Sequence, residues 1–187
     1  RATPDHMPFF QLRGALLEWL YTRSQSGATF VMPGSRFMGN DNYFNPGQYR
    51  EGWSYFGHGL GTPFIAPRAE IRPEVGGNGE FFPNNSVVVY HAGAEALVAS
   101  RVLLRAKVSY SQNFGNHNVA FNSEVRQLSS FLGFELPAFT WGNTRLVGQV
   151  AYDRGDLYPT AVGMYLGLRT TGWSTRPAPD LLHRLPF

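Results

Sequence analysis

The sequence predicts an all-β fold: an antiparallel up-and-down transmembrane β-barrel, present in part, with one long extracellular loop region. Three observations point there. Between Val87 and Phe114, two runs of alternating side chains are joined only by Ala99-Ser100. In the second run Val102, Leu104, Ala106, Val108 and Tyr110 share one parity, while Arg101, Leu103, Arg105, Lys107 and Ser109 share the other. Successive strand side chains point to opposite faces, so this strand has one apolar and one basic face. The later runs exceed the roughly five or six residues of a globular strand and approach the roughly 9–11 of a tilted membrane strand. Connections alternate between short and long, as they do between the periplasmic turns and outer loops of membrane barrels. A soluble sandwich accommodates the same alternation, with a second layer over the apolar face.

In chain order, residues 1–8 are a polar lead-in. Residues 9–23 place Leu12, Leu16, Leu17 and Leu20 at helical spacing. Against this, Leu17, Trp19 and Tyr21 alternate with Glu18, Leu20 and Thr22, and Trp, Tyr and Thr favour strands. The stretch is therefore expected to be a strand. Residues 24–86 are irregular and rich in Gly, Pro and Asn, which suits an extracellular excursion carrying short strands or turns. Residues 87–173 read as a meander of antiparallel strands: Val87–Val98, Arg101–Asn113, Glu124–Leu136, Thr144–Arg154 and Ala161–Thr171. Gly115–Asn122 reads as a polar loop within it. Residues 174–187 form a tail broken by Pro177 and Pro179. Tyr110, Tyr152 and Trp173 lie near strand ends, where they either form an interfacial girdle or cap a sandwich core. The smallest membrane barrels have about eight strands, and a lipid-facing sheet edge leaves backbone groups without partners. Either the excursion holds more strands, or remaining strands of a longer chain close the barrel.

Composition narrows the classes. Of 187 residues, 16% are charged, against about a quarter in soluble domains, and 15% are aromatic. No apolar run approaches the roughly 20 residues of a membrane helix. The mean hydropathy of −0.24 fits a soluble protein or a barrel, since half of each barrel strand is polar. With no cysteine, disulfide and thiol chemistry are excluded. The formal charge of +3 comes without a Lys/Arg cluster or an RNA-binding aromatic motif, so no nucleic-acid partner is expected. Catalytic signals are poor. The run Gly52-Trp53-Ser54 fails as a nucleophile elbow because position 56 is Phe. His6, His58, His91, His117 and His183 lack metal-site spacing, and Gly76-Gly77-Asn78-Gly79 lacks the Lys of a phosphate loop. Asp41–Asn45 misses calcium-loop spacing. No catalytic residue, metal ligand or cofactor is assigned.

The stretches LEWLYTRSQSG, GNDNYFNPGQYREGWSYFGHGLGTPF, YHAGAEALVASRVLLRAKVSYSQNFG and VRQLSSFLGFEL resemble the C-terminal portion of Wzi-type capsule assembly proteins, in a Bacteroidota-like branch. The resemblance runs from about Leu17 to Trp173, and its D-N-Y-(Y/F)-N and G-W-x-Y-x-G pieces lie in the loop. It implies a non-enzymatic barrel in the outer membrane of a Gram-negative bacterium, with more strands than this chain carries. Its implied partners are outer-membrane lipid and capsular or other surface polysaccharide, bound in a lectin-like manner. Two other readings stay open: a channel or structural subunit of a surface assembly without sugar affinity, and a soluble periplasmic β-sandwich, with hydrolase activity as one option.

Aromatic platforms beside polar groups suit sugars, whose rings have apolar faces and hydroxyl rims. Candidate glycan-binding residues are Asp41, Tyr43, Arg50, Trp53 and Tyr55. The competing reading is that these aromatics pack the loop against the barrel mouth. Candidate lumen-lining basic residues are Arg101, Arg105, Lys107, Arg145 and Arg169. They either attract acidic polysaccharide or pair inside the lumen with Glu95, Glu124, Glu135 and Asp153.

Overall fold

The computed structural model describes residues 8–25, 42–49, 51–76, 79–116, 118–138 and 144–170. These form β1 (Phe10–Tyr21), β2 (Ser54–Tyr55), β3 (His58–Gly59), β4 (Val87–Val98), β5 (Val102–Gly115), β6 (Ala120–Pro137), β7 (Thr144–Gly155) and β8 (Ala161–Thr170). The long strands make one six-stranded sheet in the order β1-β4-β5-β6-β7-β8, and β2 pairs with β3 alone. Every pairing is antiparallel. The fold is thus an up-and-down meander interrupted by the excursion between β1 and β4. Among the described residues the sheet is open, with β1 and β8 as its edges, and no barrel closes. No α-helix occurs among them; residues Pro73–Val75 form one 3-10 turn. Trp173 lies outside the described residues.

Register is set by tight turning. Ala99 and Ser100 both have positive φ, 48° and 55°, and together with Arg101 they make a three-residue hairpin loop. Val98 therefore faces Val102, and each later pair stays in step to Val87 and Asn113. Strand β1 carries the helix-like ambiguity of its sequence because of a bulge. Leu12 pairs with Ala96 and Gly14 with Glu95, leaving Arg13 as the extra residue. An added residue flips the parity of every residue after it in the strand. Phe10 and Leu12 thus share a face with Ala15, Leu17, Trp19 and Tyr21, although their numbers change parity. Strand β6 begins at Ala120, inside the stretch that reads from sequence as a polar loop. The β5–β6 connection thus shrinks to residues 116–119, shorter than residues 138–143 after β6, and the expected alternation of connection length does not hold from β4 to β8. Phe121 and Val125 explain the early start of β6: both are buried with Ala66, Ile71 and Leu157.

The two faces are chemically opposite. The inner face is the one the excursion covers. Near the β5–β6 loop, Ile65 and Phe82 pack on Val87 and Val89 of β4, with Leu20 of β1 alongside. The adjacent Ala66 joins the other cluster, on Phe121 and Val125. Two consecutive residues therefore reach both halves of the inner face. Phe82 is fully buried, worth about 1.5–3 kcal/mol by transfer. Thr22 ties the base of the excursion to the sheet: its hydroxyl donates to the Asn85 carbonyl at 2.7 Å and accepts from the Val87 N–H at 2.9 Å.

The outer face has no such cover among the described residues. Tyr90, Val108, Leu132 and Val150 lie on central strands and are 54%, 44%, 58% and 45% exposed. Trp19 faces Tyr90 and Tyr90 faces Tyr110, which makes an aromatic row across three strands, continued on β6 by Leu128. Tyr152 lies next to this row, opposite Ser130. Beyond the row the outward positions turn polar, with Gln112, Glu124, Arg126 and Arg154; Glu124 accepts from Gln112 and Arg126, each at 2.9 Å. On its other side, the outward ladder positions toward Val98, Val102, Leu136, Leu146 and Leu168 include no charged residue. From Tyr110 to Val102 this apolar band runs about 27 Å along the strand at ~3.4 Å per residue.

Left-handed backbone costs a non-glycine residue about 1–2 kcal/mol. Replacing Ala99-Ser100 by Asn-Gly (Ala99→Asn with Ser100→Gly) should stabilise the fold by about 1 kcal/mol. Equilibrium unfolding of the detergent-folded protein in urea checks this; an unchanged or lowered midpoint would contradict the turn geometry.

Candidate functional site

The excursion builds an open cleft of about 690 Å³, lined among others by Asn42, Tyr43, Asn45, Tyr49, Trp53 and Leu60. Local backbone explains its shape. The Gly52 N–H donates to the Tyr49 carbonyl at 3.0 Å, and the Leu60 N–H to the Trp53 carbonyl at 2.9 Å. Gly52 has φ +53°, and a Cβ there would collide with the Phe44 carbonyl. Only glycine suits such a position, which brings residues 42–49 against Trp53. The rings of Tyr43 and Trp53 stack with centroids 5.6 Å apart and planes at 23°. Tyr49 lines the same cleft and is exposed. The cleft therefore offers large aromatic surfaces that remain open to solvent.

Of the five candidate glycan-binding residues, the structure brings two together, Tyr43 and Trp53. Tyr55 stands apart on the β2–β3 ribbon, edge-on to Phe56 at 4.5 Å between centroids. Asp41 and Arg50 lie outside the described residues. Tyr49 and Leu60 also belong to the lining. Tyr49 belongs to the same aromatic-rich run, but no periodicity distinguishes it there.

Beneath the cleft sits Glu80. Its carboxylate accepts from the side-chain amides of Asn42 at 2.9 Å, Asn45 at 3.2 Å and Asn118 at 2.6 Å, and also from Asn116. Asn45 exchanges two further bonds with the backbone of Phe82, at 2.8 and 2.9 Å. These asparagines fix the cleft floor to the β5–β6 loop. Asn84, Asn85, Asn113 and Asn116, all fully buried, continue the polar layer. Asn84 donates to Asn113 at 2.9 Å, and Asn113 donates to Ser111 and the Val125 carbonyl at 3.0 and 3.1 Å. Buried amides need such partners, and here they are supplied by neighbouring strands.

The basic candidates occupy the opposite end of the inner face. Arg105 on β5 donates through Nε to Glu95 at 2.7 Å and through Nη1 to Glu135 at 2.6 Å. Arg169 on β8 reaches the same Glu135 oxygen at 3.1 Å. The Glu135 side chain is 6% exposed, so its charge is held by two guanidinium groups rather than by bulk water. Arg145 stands directly opposite Arg169 in register, and Lys107 shares the face with Arg105. Two carboxylates thus sit among four cations, and this end of the inner face stays electropositive. Arg101 is placed differently: it is the last residue of the hairpin loop, exposed, with its N–H bonded to the Val98 carbonyl. Of the acidic residues weighed as inner-face partners, Glu124 pairs instead with Arg126 among the polar outward positions.

No protein-family model, curated protein or solved structure matches this chain.

Glu80→Ala should release residues 42–49, since it leaves several amides without their shared acceptor. Limited proteolysis should cut the excursion markedly faster while the meander from β4 to β8 stays intact. Equal cleavage of the variant and the parent would show that Glu80 does not hold the cleft.

Proposed function

We propose that this chain is part of a Wzi-type outer-membrane β-barrel of a Gram-negative bacterium, non-enzymatic, which holds surface polysaccharide through the aromatic cleft of its excursion. The observation that carries the proposal is the outer face: apolar, free of charge along its ladder positions, uncovered on central strands and bordered by an aromatic row. Water-facing apolar patches on soluble monomers rarely exceed a few hundred Å². A hydrocarbon layer flanked by an interface accounts for both the band and the row. A sandwich would need a second layer over these side chains, and none covers them among the described residues.

The excursion fits the same scheme. It packs on the polar face, as a plug or inward-folded loop does in a barrel lumen. This supports a plugged barrel over an open channel. The edges β1 and β8 add a requirement: in lipid their free backbone groups must pair. Further strands of a longer chain are the partners that satisfy it. The stacked Tyr43–Trp53 pair, with Tyr49 beside it, offers platforms for sugar rings, and the electropositive end of the inner face suits acidic polymers.

Two measurements test this. In the protein folded into lipid vesicles, Leu132→Arg on the outer face should cost about 2–4 kcal/mol. Gln149→Arg on the inner face should cost far less. Equal costs, or a monodisperse detergent-free monomer, would remove the membrane assignment. On a glycan array, Trp53→Ala should abolish binding to surface polysaccharides; binding that persists would displace the cleft as the sugar site.

A further inference from the structure

We propose that the inner face carries a second ligand site, for a neutral or amino-bearing hydroxylated unit such as a sugar, in a cavity of about 510 Å³ beneath the excursion. Its volume falls within the range of about 300–1,000 Å³ typical of ligand pockets. The site does not depend on the cleft at Trp53.

The floor is a single register row. Glu18 faces His91, His91 faces Ser109, Ser109 faces Ser129, and Ser129 faces Asp153. Five neighbouring strands thus each present one polar side chain to the same space. Phe64 of the excursion and Tyr158 after β7 form apolar walls. Tyr158 is anchored there by its hydroxyl, which donates to the Pro63 carbonyl at 3.2 Å. Burial pushes that hydroxyl above its ordinary pKa, so it stays a neutral donor.

Gln127 supplies the observation that points to a ligand. It lines the cavity and is 3% exposed. Its Oε1 accepts from the Tyr158 N–H at 3.2 Å. A backbone N–H only donates, so the amide oxygen must lie on that side and the NH₂ on the other. That Nε2 is buried and has no hydrogen-bond partner among the described residues. An orphaned buried donor costs about 1–3 kcal/mol, which a ligand oxygen would offset once the side chain turns this atom, itself closed to solvent, toward the cavity.

The chemistry of the row selects the class of ligand. Carboxylates accept, the Gln127 amide donates, and serine and histidine do both. A partner must therefore carry donors and acceptors together, as hydroxyl groups do. The carboxylates of Glu18 and Asp153, at the two ends of the row, disfavour an anion. Apolar walls match the apolar face of a sugar ring. His91 Nδ1 lies 2.7 Å from Ser109 Oγ, which fixes both groups in place.

The test titrates the detergent-folded protein with cellobiose, with the deacetylated glucosamine disaccharide and with glucuronic acid, read by saturation-transfer NMR. At least one of the two disaccharides should bind, and glucuronic acid should bind more weakly than either. Gln127→Leu should weaken disaccharide binding by about tenfold or more. Ser129→Leu, which fills the same space, should do likewise and serves should the first variant fail to fold. Trp53→Ala should leave this binding unchanged. Absence of disaccharide binding, binding that survives both inner-face variants, or loss in Trp53→Ala alone would overturn the proposal. Loss in Trp53→Ala on the polysaccharide array, by contrast, reads only the outer cleft.

Discussion

At Ala99-Ser100-Arg101 the chain reverses within three residues, and the hydrogen-bonded ladder of β4 and β5 has no freedom left to slide. A slip of one residue would carry every apolar side chain to the opposite face. Both functional faces therefore depend on this pairing. Tyr90 meets Tyr110 and Glu95 meets Arg105 because of the same step in register. The adjoining hairpins extend it, so that Glu135 falls within reach of Arg105 on one side and Arg169 on the other.

Stability is distributed unevenly across the two faces. Inward, the excursion provides what a second layer provides in a sandwich: Phe82, Ile65 and Leu157 are buried against the strands, and amides are matched to amides. Outward, the same strands gain almost nothing from burial within the chain. Leu17, Met164 and Leu166 are more than two-thirds exposed, at 84%, 81% and 71%. The favourable transfer of that surface must come from whatever surrounds it. The polar rim of Gln112, Glu124, Arg126 and Arg154 bounds that surface at one end.

Much of the sheet is legible in the sequence because strand alternation is a short-range signal. Val102 to Tyr110 declares its two faces without reference to any partner. The aromatic row is less legible: a two-residue link at Ala99-Ser100 would set Tyr90 opposite Ser109, and only the third loop residue, Arg101, brings it opposite Tyr110. Other features depend on long-range pairing. The bulge at Arg13 mixes two parities, which is why residues 9–23 also resemble a helix. The Tyr43–Trp53 stack has no sequence period, because loop geometry alone joins the two rings. Glu80 is a single acid between Gly79 and Phe81, and its asparagine partners are up to 38 residues away. Gln127 looks like any polar strand residue until Tyr158 fixes the direction of its amide.

The excursion also separates the first long strand from its neighbour. Strands β4 to β8 are linked by brief connections, so each can zip onto the one before it. Strand β1 joins β4 only after the chain has looped back: Thr22 and Asn85, which meet at the junction, stand 63 residues apart. Closing so long a loop carries an entropic penalty that the nearer hairpins avoid, although it grows only slowly with length. Local hairpins favour early organisation of the meander, and pairing of the first strand carries the largest loop-closure cost in the sheet.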